Sequence, residues 1–453
     1  MPRALLLPSY LGGGYGHIGR CLALSEELKQ RGWQTAFALG GHHAARLAKE
    51  GHRVYRLRRP FEPGPESTEG PAFTVFSDMN YQLVRDGLHN RRLISASLAE
   101  QLSVVSHFKP DLLVVDASPL ARILAHLTGL PLAQIVRSAN HPLAARLIWW
   151  QAPPEGLLSP DPRSVFNPLL EQLGMLAISG AVDLLQGDLY LVPSFPELDP
   201  LPQGLPHTHF VGPLTRRVVQ EPEVPDLLEN IDPDRPLVYV TLGGGAGPVG
   251  GPSFYRLLFE ALAVAEIQVI ASTGARVSPQ DLPLPPANFR LTSWAPGLAV
   301  IARSSLVVYP GGYGTTMELV RAGVPGLVIP FHTEQESNGR RLAANGAGKI
   351  LLPSTSDQEQ VCQNWPGGRF AYLIHRASDL TPDLLRDTVL GLLNDPGCRE
   401  NALHLKQIAG CYGGAAQAAD LLEGLLETRA DSFHPGWDRL TWRQKIALGR
   451  LWI

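Results

Sequence analysis

A glycine-rich turn in the second half of the chain places the strongest constraint on its fold. The apolar run 306–308, Leu-Val-Val, is followed at 309–318 by Tyr-Pro-Gly-Gly-Tyr-Gly-Thr-Thr-Met-Glu. The apolar run predicts a buried strand, and the glycines predict a strand-to-helix turn whose first helical amides point outward. Such amides bind anions, so the candidate phosphate-binding residues are Gly311, Gly312, Gly314, Thr315 and Thr316.

Glycine in a turn is also explained by positive φ alone, but this turn is one of several ordered anchors. Trp294-Ala295-Pro296 precedes it, and Glu318, Gly323-Val324-Pro325, Pro330 and the segment 334–338 follow. This order resembles the donor signature of the UDP-glycosyltransferase superfamily, which comprises inverting, family-1-like glycosyltransferases. The resemblance implies the GT-B fold, an α/β architecture in which two Rossmann-like parallel-sheet domains face each other across a cleft.

The resemblance also implies roles for particular residues. Trp294 would stack on the nucleotide base, Glu318 would bind the ribose hydroxyls, and Glu334 and Gln335 would hold the transferred sugar. A second glycine loop, 243–245, follows the apolar run 237–241 and could supply further amides, although a plain tight turn is the alternative. The glycines Gly14, Gly243 and Gly244 complete the predicted donor-binding set.

Two positions depart from the family pattern. Pro310 replaces the histidine that usually precedes the glycine pair, so one phosphate contact is lost, and Tyr309, Tyr313 or His332 could compensate. Gly297 stands where many relatives carry a glutamine that contacts the base or ribose. Either UDP or dTDP is therefore compatible as the nucleotide of the donor sugar.

The first glycine-rich segment, 12–16, leads into His17. In related enzymes this histidine takes the proton of the acceptor hydroxyl, and an aspartate from a neighbouring strand end, matched by Asp116, orients it. A neutral imidazole paired with a carboxylate suits this role, while helix capping is the alternative for both residues. Retaining enzymes of this fold often carry two glutamates separated by seven residues. Counted from Glu318, the positions that would hold the second glutamate are Pro310 and Gly326, which favours inversion.

Composition limits the class of protein. The chain has 453 residues, 44% hydrophobic and 18% charged, with a net charge of -3. These values predict a globular two-domain enzyme and argue against a nucleic-acid partner. Four cysteines without a Cys-x-x-Cys pair fit the reducing cytoplasm, and no apolar stretch is long enough to span a membrane. No cofactor is expected, and no metal, because no Asp-x-Asp motif lies where it would bridge a diphosphate.

Alternating apolar runs and helical periods predict the domain boundaries. Residues 1–213 are predicted to form the first domain, which begins βαβαβ and contains a long loop at 61–80, and the resemblance implies that this domain binds the acceptor. Residues 214–236, rich in proline and acidic side chains, form the linker, and residues 237–428 form the nucleotide-sugar domain. The tail 429–453, basic and aromatic, is expected to pack back on the first domain, although it could also contact an anionic membrane and suit a lipid acceptor.

Residues 141–187 break the alternation and are expected to form much of the acceptor pocket. Trp149, Trp150 and Phe166 are the candidate acceptor contacts, with packing in a core as the alternative. The predicted activity is that of a hexosyltransferase acting on a small-molecule or lipid hydroxyl. Two alternatives stay open: a nucleotide-sugar epimerase of the same fold, and a catalytically silent donor-binding subunit.

Overall fold

The structure is a computed structural model. It describes residues 1–10, 15–58, 73–76, 79–144, 154–216, 225–243, 251–264, 266–274, 277–352, 356–376 and 379–430. Four predicted site residues, Gly14, Trp149, Trp150 and Gly244, lie outside these ranges. Within the described ranges, no helix is both long enough and apolar enough to cross a membrane.

The N-terminal half is a seven-stranded parallel sheet flanked by helices. Its strands are almost wholly apolar and their side chains alternate between two cores: Ala4 and Leu6 pack on one face, Leu5 and Leu7 on the other. Burial on both faces is what a continuous apolar strand predicts. The strands of this half are β1 (Arg3–Pro8), β2 (Gln34–Leu39), β3 (Val54–Arg56), β4 (Phe73–Val75), β5 (Leu112–Asp116), β6 (Leu132–Ile135), β7 (Leu189–Val192) and β8 (Thr208–Phe210).

All of these strands except β4 belong to the sheet, in the order β3-β2-β1-β5-β6-β7-β8. The crossover helices begin and end where the sequence periodicity places them to within a few residues. They are α1 (Gly16–Gln30), α2 (Gly41–Lys49), α3 (Met79–Arg85), α4 (Arg91–Phe108), α5 (Ala121–Thr128) and α6 (Arg163–Gln172).

The C-terminal half repeats this architecture with six parallel strands in the order β11-β10-β9-β12-β13-β14. These are β9 (Leu237–Thr241), β10 (Gln268–Ser272), β11 (Phe289–Thr292), β12 (Leu306–Tyr309), β13 (Gly326–Val328) and β14 (Gly348–Ile350). The helices are α7 (Pro225–Leu228), α8 (Pro252–Leu262), α9 (Gly297–Arg303), α10 (Tyr313–Ala322), α11 (Thr333–Ala344), α12 (Pro382–Leu393), α13 (Pro396–Gly410) and α14 (Ala415–Ala430). The predicted α/β class with two Rossmann-like sheets is confirmed.

The strand order locates the functional region in both halves. In each sheet the order reverses beside the first strand, between β1 and β5 and between β9 and β12. Loops that leave the carboxyl ends of strands at such a reversal diverge to opposite faces and open a crevice. His17, Asp116 and the glycine-rich turn all follow these strands, so the fold brings them to one cleft.

A small third sheet joins the two halves and was not predicted. The hairpin of β15 (Gln358–Trp365) and β16 (Gly368–His375) pairs antiparallel with β4 of the N-terminal half. Strand β4 lies inside the segment predicted to be a loop throughout. Its three residues are too short a run to be recognised as a strand, because only the distant hairpin supplies their hydrogen-bond partners.

The chain returns to the N-terminal half earlier than predicted. Helix α14 starts at Ala415, and its Ala418 and Leu422 pack in the core around α1. Arg31 at the end of α1 donates to Asp420 at 2.6 Å and to Glu423 at 3.0 Å. The returning helix therefore begins shortly after α13 ends at Gly410, and not at residue 429 as predicted. Most of the predicted tail lies outside the described residues.

Candidate active site

His17 and Asp116 form a hydrogen-bonded pair at the carboxyl edge of the first sheet. His17 lies in the first turn of α1 and Asp116 ends β5, and His17 Nδ1 is 2.7 Å from Asp116 Oδ1. The Asp116 side chain is 2% exposed and the His17 side chain 33% exposed. Nδ1 also lies 2.9 Å from Arg20 Nη2. In the tautomer that carries its proton on Nδ1, the imidazole donates to Asp116 and its Nε2 lone pair is free to accept a proton.

Arg20 holds the other side of the same carboxylate. Its Nε donates to Asp116 Oδ2 at 2.7 Å and its Nη2 donates to Oδ1 at 3.0 Å. Burial by itself would raise the pKa of Asp116, but the Arg20 guanidinium and the His17 imidazole lower that pKa below its ordinary value. Asp116 therefore stays ionised, and it orients both side chains from a buried position.

The glycine-rich turn has the geometry predicted for it between β12 and α10. Gly311 has φ +94°, and a Cβ there would lie 2.5 Å from the backbone oxygen of Gln335, so only glycine fits. Asn338 Nδ2 donates to the Gly311 carbonyl at 2.8 Å, which ties the turn to α11. Gly312 caps α10, and no atom lies within 4 Å of where its Cβ would be. The start of α10 is therefore open to the cleft.

The two threonines of this helix face different ways. Thr316 is 2% exposed, and its hydroxyl donates to the Gly312 carbonyl and lies 3.0 Å from the Tyr309 hydroxyl. Thr315 is half-buried beside the open start of the helix. Thr315, together with the first helical amides, therefore provides the hydroxyl suited to an anion, whereas the Thr316 hydroxyl stabilises the turn.

Gly297 and Glu318 are neighbours in the C-terminal domain, and Trp294 comes three residues before Gly297. Trp294 is 46% exposed, which is unusual for so large an apolar side chain. A Cβ on Gly297 would lie 3.6 Å from Glu318 Oε2, so a larger side chain at 297 would pack against the carboxylate. Burial raises the pKa of Glu318 to about 7. An exposed indole suits stacking on a nucleotide base, and a carboxylate suits hydrogen bonds from ribose hydroxyls.

Glu334 contacts the opposite domain. Its Oε1 accepts from Arg137 Nη1 at 2.9 Å, and the Glu334 side chain is 43% exposed to the cleft. Burial would raise the pKa of Glu334, but Arg137, His332 and His17 lower it, so the carboxylate is ionised and lies near the base. Gln335 is turned inward instead, and its Oε1 accepts from the Phe331 amide at 2.8 Å.

Arg137 is the centre of a buried network between the domains. Besides Glu334, it donates to Asp199 at 3.3 Å and to Asn338 at 2.7 Å, and its guanidinium lies 3.6 Å from the centroid of the Tyr313 ring. Asp199 is fully buried and also accepts from Arg341 on α11 at 2.8 Å. This network fixes the position of α11 against the N-terminal half.

Close backbone approach brings the two glycine segments together. A Cβ on Gly314 would meet the Cα of Gly16 at 3.8 Å, so the start of α10 faces the start of α1 directly. His17 follows Gly16 directly, so the His17–Asp116 pair lies next to the start of α10.

Several predicted residues have different surroundings from those expected. Phe166 has no exposed surface and packs in the core around α6, so it does not face an acceptor in this structure. Tyr309 and Tyr313, expected to replace the missing histidine, are buried and bond internally to Thr316 and to the Pro193 carbonyl. Gly243 has φ +71° and its amide donates to the Thr241 hydroxyl, which is the geometry of a tight turn.

Arg20 and Arg137 were missed by the sequence reasoning. Arg20 is three residues after His17 and so shares its helix face, a spacing that could have identified it. Arg137 comes two residues after β6, at the same sheet edge as Asp116. Nothing in the sequence pattern indicates that Arg137 reaches the other domain, because its partners Glu334 and Asn338 are remote in the chain.

Comparisons with known proteins agree on one family. Residues 256–365 match the family described as erythromycin biosynthesis protein CIII-like, C-terminal domain. The chain is 30% identical to a PGL/p-HBAD biosynthesis rhamnosyltransferase of Mycobacterium bovis, with 76% of each chain covered. It is 25% identical to the NDP-glycosyltransferase YjiC of Bacillus subtilis, covering 92% of this chain and 96% of that one.

Solved structures share the fold. The calicheamicin glycosyltransferase CalG4 has a TM-score of 0.67 at 23% identity, covering 94% of this chain and 98% of that one. The spinosyn rhamnosyltransferase SpnG complexed with thymidine diphosphate has a TM-score of 0.63 at 20% identity, covering 93% and 100%. These structures are GT-B glycosyltransferases, so the expected GT-B arrangement is confirmed.

Proposed function

The chain belongs to the UDP-glycosyltransferase superfamily of GT-B glycosyltransferases, and from this premise we propose that it transfers a hexose from a nucleotide-diphosphate sugar to a hydroxyl group with inversion. One observation carries the proposal. The His17–Asp116 pair, with Nδ1 and Oδ1 2.7 Å apart, faces the open start of α10 across the contact between Gly16 and Gly314. A base and an anion site next to each other, one on each domain, suit a direct displacement.

In the proposed reaction the acceptor oxygen forms its bond to the anomeric carbon while its proton passes to His17 Nε2. The bond from that carbon to the diphosphate breaks, and the electron pair leaves with the diphosphate oxygen. Asp116 stabilises the imidazolium that forms, since its pKa is held below the ordinary value. The α10 amides and the Thr315 hydroxyl stabilise the leaving group. No metal or other cofactor is part of this proposal.

The donor is proposed to be a UDP- or dTDP-sugar. The exposed Trp294 is proposed to stack on the base, and Glu318, next to Gly297, is proposed to accept hydrogen bonds from the ribose. The structurally similar SpnG was solved in complex with thymidine diphosphate, which supports a dTDP-sugar as one of the two candidate donors. Glu334, ionised and exposed to the cleft, is proposed to accept hydrogen bonds from the sugar hydroxyls.

The acceptor is proposed to be an apolar or aromatic small molecule or a lipid. Four half-buried rings, called the aromatic wall, contact one another, and His332 among them is two residues before Glu334: Phe76, Tyr81, His332 and Tyr372. Phe76 stacks on Tyr81 at 5.1 Å between centroids, Tyr81 lies 5.2 Å from Tyr372, and Phe76 lies 5.9 Å from His332. The hairpin β15–β16 supplies Tyr372, so both domains contribute to this wall.

Unpaired cysteines, two of them exposed, fit a reducing cytoplasm.

A donor and acceptor screen tests the proposal. The full chain is incubated with UDP- and dTDP-sugars, and protection against thermal unfolding identifies the donor. That donor is then offered with phenolic, macrocyclic and lipid alcohols, and the anomeric configuration of the product is determined by NMR. We expect a glycoside of inverted configuration.

The alternatives give other outcomes in the same screen. A new sugar nucleotide formed from the donor alone would indicate the epimerase. Tight nucleotide binding without turnover of any donor would indicate the silent subunit that Pro310 first suggested. A product with retained configuration would overturn the direct displacement while leaving the family assignment intact.

A further inference from the structure

The glycine-rich turn at 309–318, called the donor turn from here on, has no cationic side chain of its own. Pro310 occupies the position of the family histidine, and the hydroxyls of Tyr309 and Tyr313 bond inward, at 3.0 Å to Thr316 and 2.9 Å to the Pro193 carbonyl. Helix amides and one threonine are neutral groups, yet a leaving diphosphate gains a negative charge as its bond to the sugar breaks. A cationic side chain elsewhere in the cleft would add to the stabilisation that these neutral groups provide.

Arg20 is placed to supply that charge from the N-terminal domain. Its guanidinium carbon lies 5.5 Å from the centroid of the Tyr313 ring, and Tyr313 is the first residue of α10. Arg20 Nη1 is 3.8 Å from where a Cβ of Gly16 would be, and Gly16 is the residue that faces Gly314 across the gap. The guanidinium therefore lies between the catalytic pair and the donor turn.

The hydrogen bonds of Arg20 leave one nitrogen available. Nε and Nη2 are both engaged by Asp116, whereas Nη1 makes no hydrogen bond to any residue in the part of the chain that the structure describes. Arg137 differs, because each of its three nitrogens donates: Nε to Asp199, Nη1 to Glu334 and Nη2 to Asn338. Of these two arginines beside Tyr313, only Arg20 has a free donor nitrogen.

We propose that Arg20 binds the diphosphate of the donor nucleotide through Nη1 and carries out the electrostatic role that Pro310 cannot. This inference rests on the proposed transfer function. As the bond between the anomeric carbon and the diphosphate oxygen breaks, the electron pair stays on that oxygen and the fixed guanidinium stabilises it. Asp116 then has two duties, since one of its oxygens orients the base and both hold the cation.

Nucleotide binding separates this role from a structural one. Affinities of the full chain for UDP and dTDP, and for uridine and thymidine as probes without phosphate, are measured by calorimetry. For Arg20→Gln we expect the diphosphates to bind about 10- to 100-fold more weakly, the value of a charge-assisted hydrogen bond, and the nucleosides to bind unchanged. Arg31→Gln, which removes the ion pairs of an arginine at the other end of α1, is the matched control and should leave both affinities unchanged.

A double variant tests whether weaker binding results from a disturbed fold, because Arg20→Gln leaves Asp116 buried and without its cation. Arg20→Gln with Asp116→Asn removes both charges together. If Arg20 contacts the diphosphate, the double variant binds UDP or dTDP as weakly as the single variant. If Arg20 only compensates Asp116, the double variant regains wild-type affinity, and the inference is overturned.

The same titrations distinguish this inference from the proposed function. Wild-type protein that binds neither diphosphate and transfers no sugar contradicts the proposed function itself. Wild-type protein that binds a diphosphate and transfers sugar, together with an Arg20→Gln variant of equal affinity, contradicts the role of Arg20 alone.

Discussion

The two faces of the cleft hold their charged groups in different states. On the N-terminal face, Asp116 is ion-paired with Arg20, and Arg137 is bonded to three protein partners. On the C-terminal face, Trp294 is 46% exposed and Glu318 makes no hydrogen bond among the described residues. Burial raises the pKa of Glu318 to about 7, whereas that of Asp116 is lowered.

This difference separates the parts that perform the reaction from the parts that select the donor. A base and its carboxylate act at full strength only if they need no reorganisation during the reaction, so a preassembled network suits the N-terminal face. Nucleoside contacts gain specificity when the ligand itself satisfies a polar group that the free protein leaves without a partner. Apart from Arg20, which is proposed to contact the diphosphate, changes on the N-terminal face should therefore reduce turnover or stability, and changes on the C-terminal face should reduce donor binding.

The largest effect is expected from His17→Ala. Loss of the base should lower kcat by about 10²- to 10⁴-fold, while the affinity for the donor sugar nucleotide, to which His17 contributes no proposed contact, stays within about twofold. Steady-state kinetics and calorimetry measure the two quantities. His404→Ala, an exposed histidine on α13, is the control. Equal losses of turnover and donor affinity would contradict the division between the faces.

Arg137→Met should cause the next largest effect, on folding. The variant leaves the fully buried Asp199 with Arg341 as its remaining cation and removes the link to Glu334. We expect the free energy of unfolding to fall by about 3 kcal/mol, as when one partner of a buried ion pair is lost. Denaturant unfolding of Arg137→Met is compared with that of Arg376→Met, whose exposed pair with Glu359 should contribute within about 1 kcal/mol. Similar values for the two variants would show that the network is not preassembled.

Glu318→Gln should cause the smallest effect, and one that depends on pH. The folded-state pKa of Glu318 lies above the ordinary value of 4.5, so its stability contribution is present below pH 4.5 and is lost as pH rises through about 7. The glutamine variant should therefore be more stable than wild type above pH 7 and similar to it below pH 4.5, as thermal unfolding across this range would show.

Donor binding to the same carboxylate has the opposite dependence. The ionised form accepts ribose hydrogen bonds more strongly, so wild-type affinity should rise about tenfold between pH 6 and pH 8, while Glu318→Gln stays flat. The ligand is a sugar nucleotide rather than UDP, because the terminal phosphate of UDP titrates in this range. A flat wild-type profile would remove Glu318 from the ribose site.

Local sequence patterns were sufficient to predict much of the fold of this protein. The apolar runs predicted the parallel strands, because a strand buried on both faces must be apolar throughout. The glycine turn was predicted in its geometry, since Gly311 requires positive φ and a close backbone approach. The pairing of His17 with Asp116 was expected from resemblance, and the strand order that brings them together agrees with it.

Orientation within a helix was harder to predict. Thr315 and Thr316 are adjacent in the same turn, yet only the packing of α10 on Tyr309 decides that the Thr316 hydroxyl faces inward. Gln335 is similar, because the Phe331 amide occupies its side-chain oxygen. Adjacent helical residues point about 100° apart, and a motif names both without showing which one faces the cleft.

By itself, the sequence determined the two Rossmann-like domains, the donor turn and the candidate base, because each depends on a local period or on a backbone conformation that few residues adopt. Tertiary structure alone decided that Arg20 and Arg137 surround the start of α10, that β4 pairs with a hairpin of the other domain, and that α14 returns at Ala415. These contacts join segments remote in the chain, and their charges and hydrogen bonds acquire partners only when both domains are packed together.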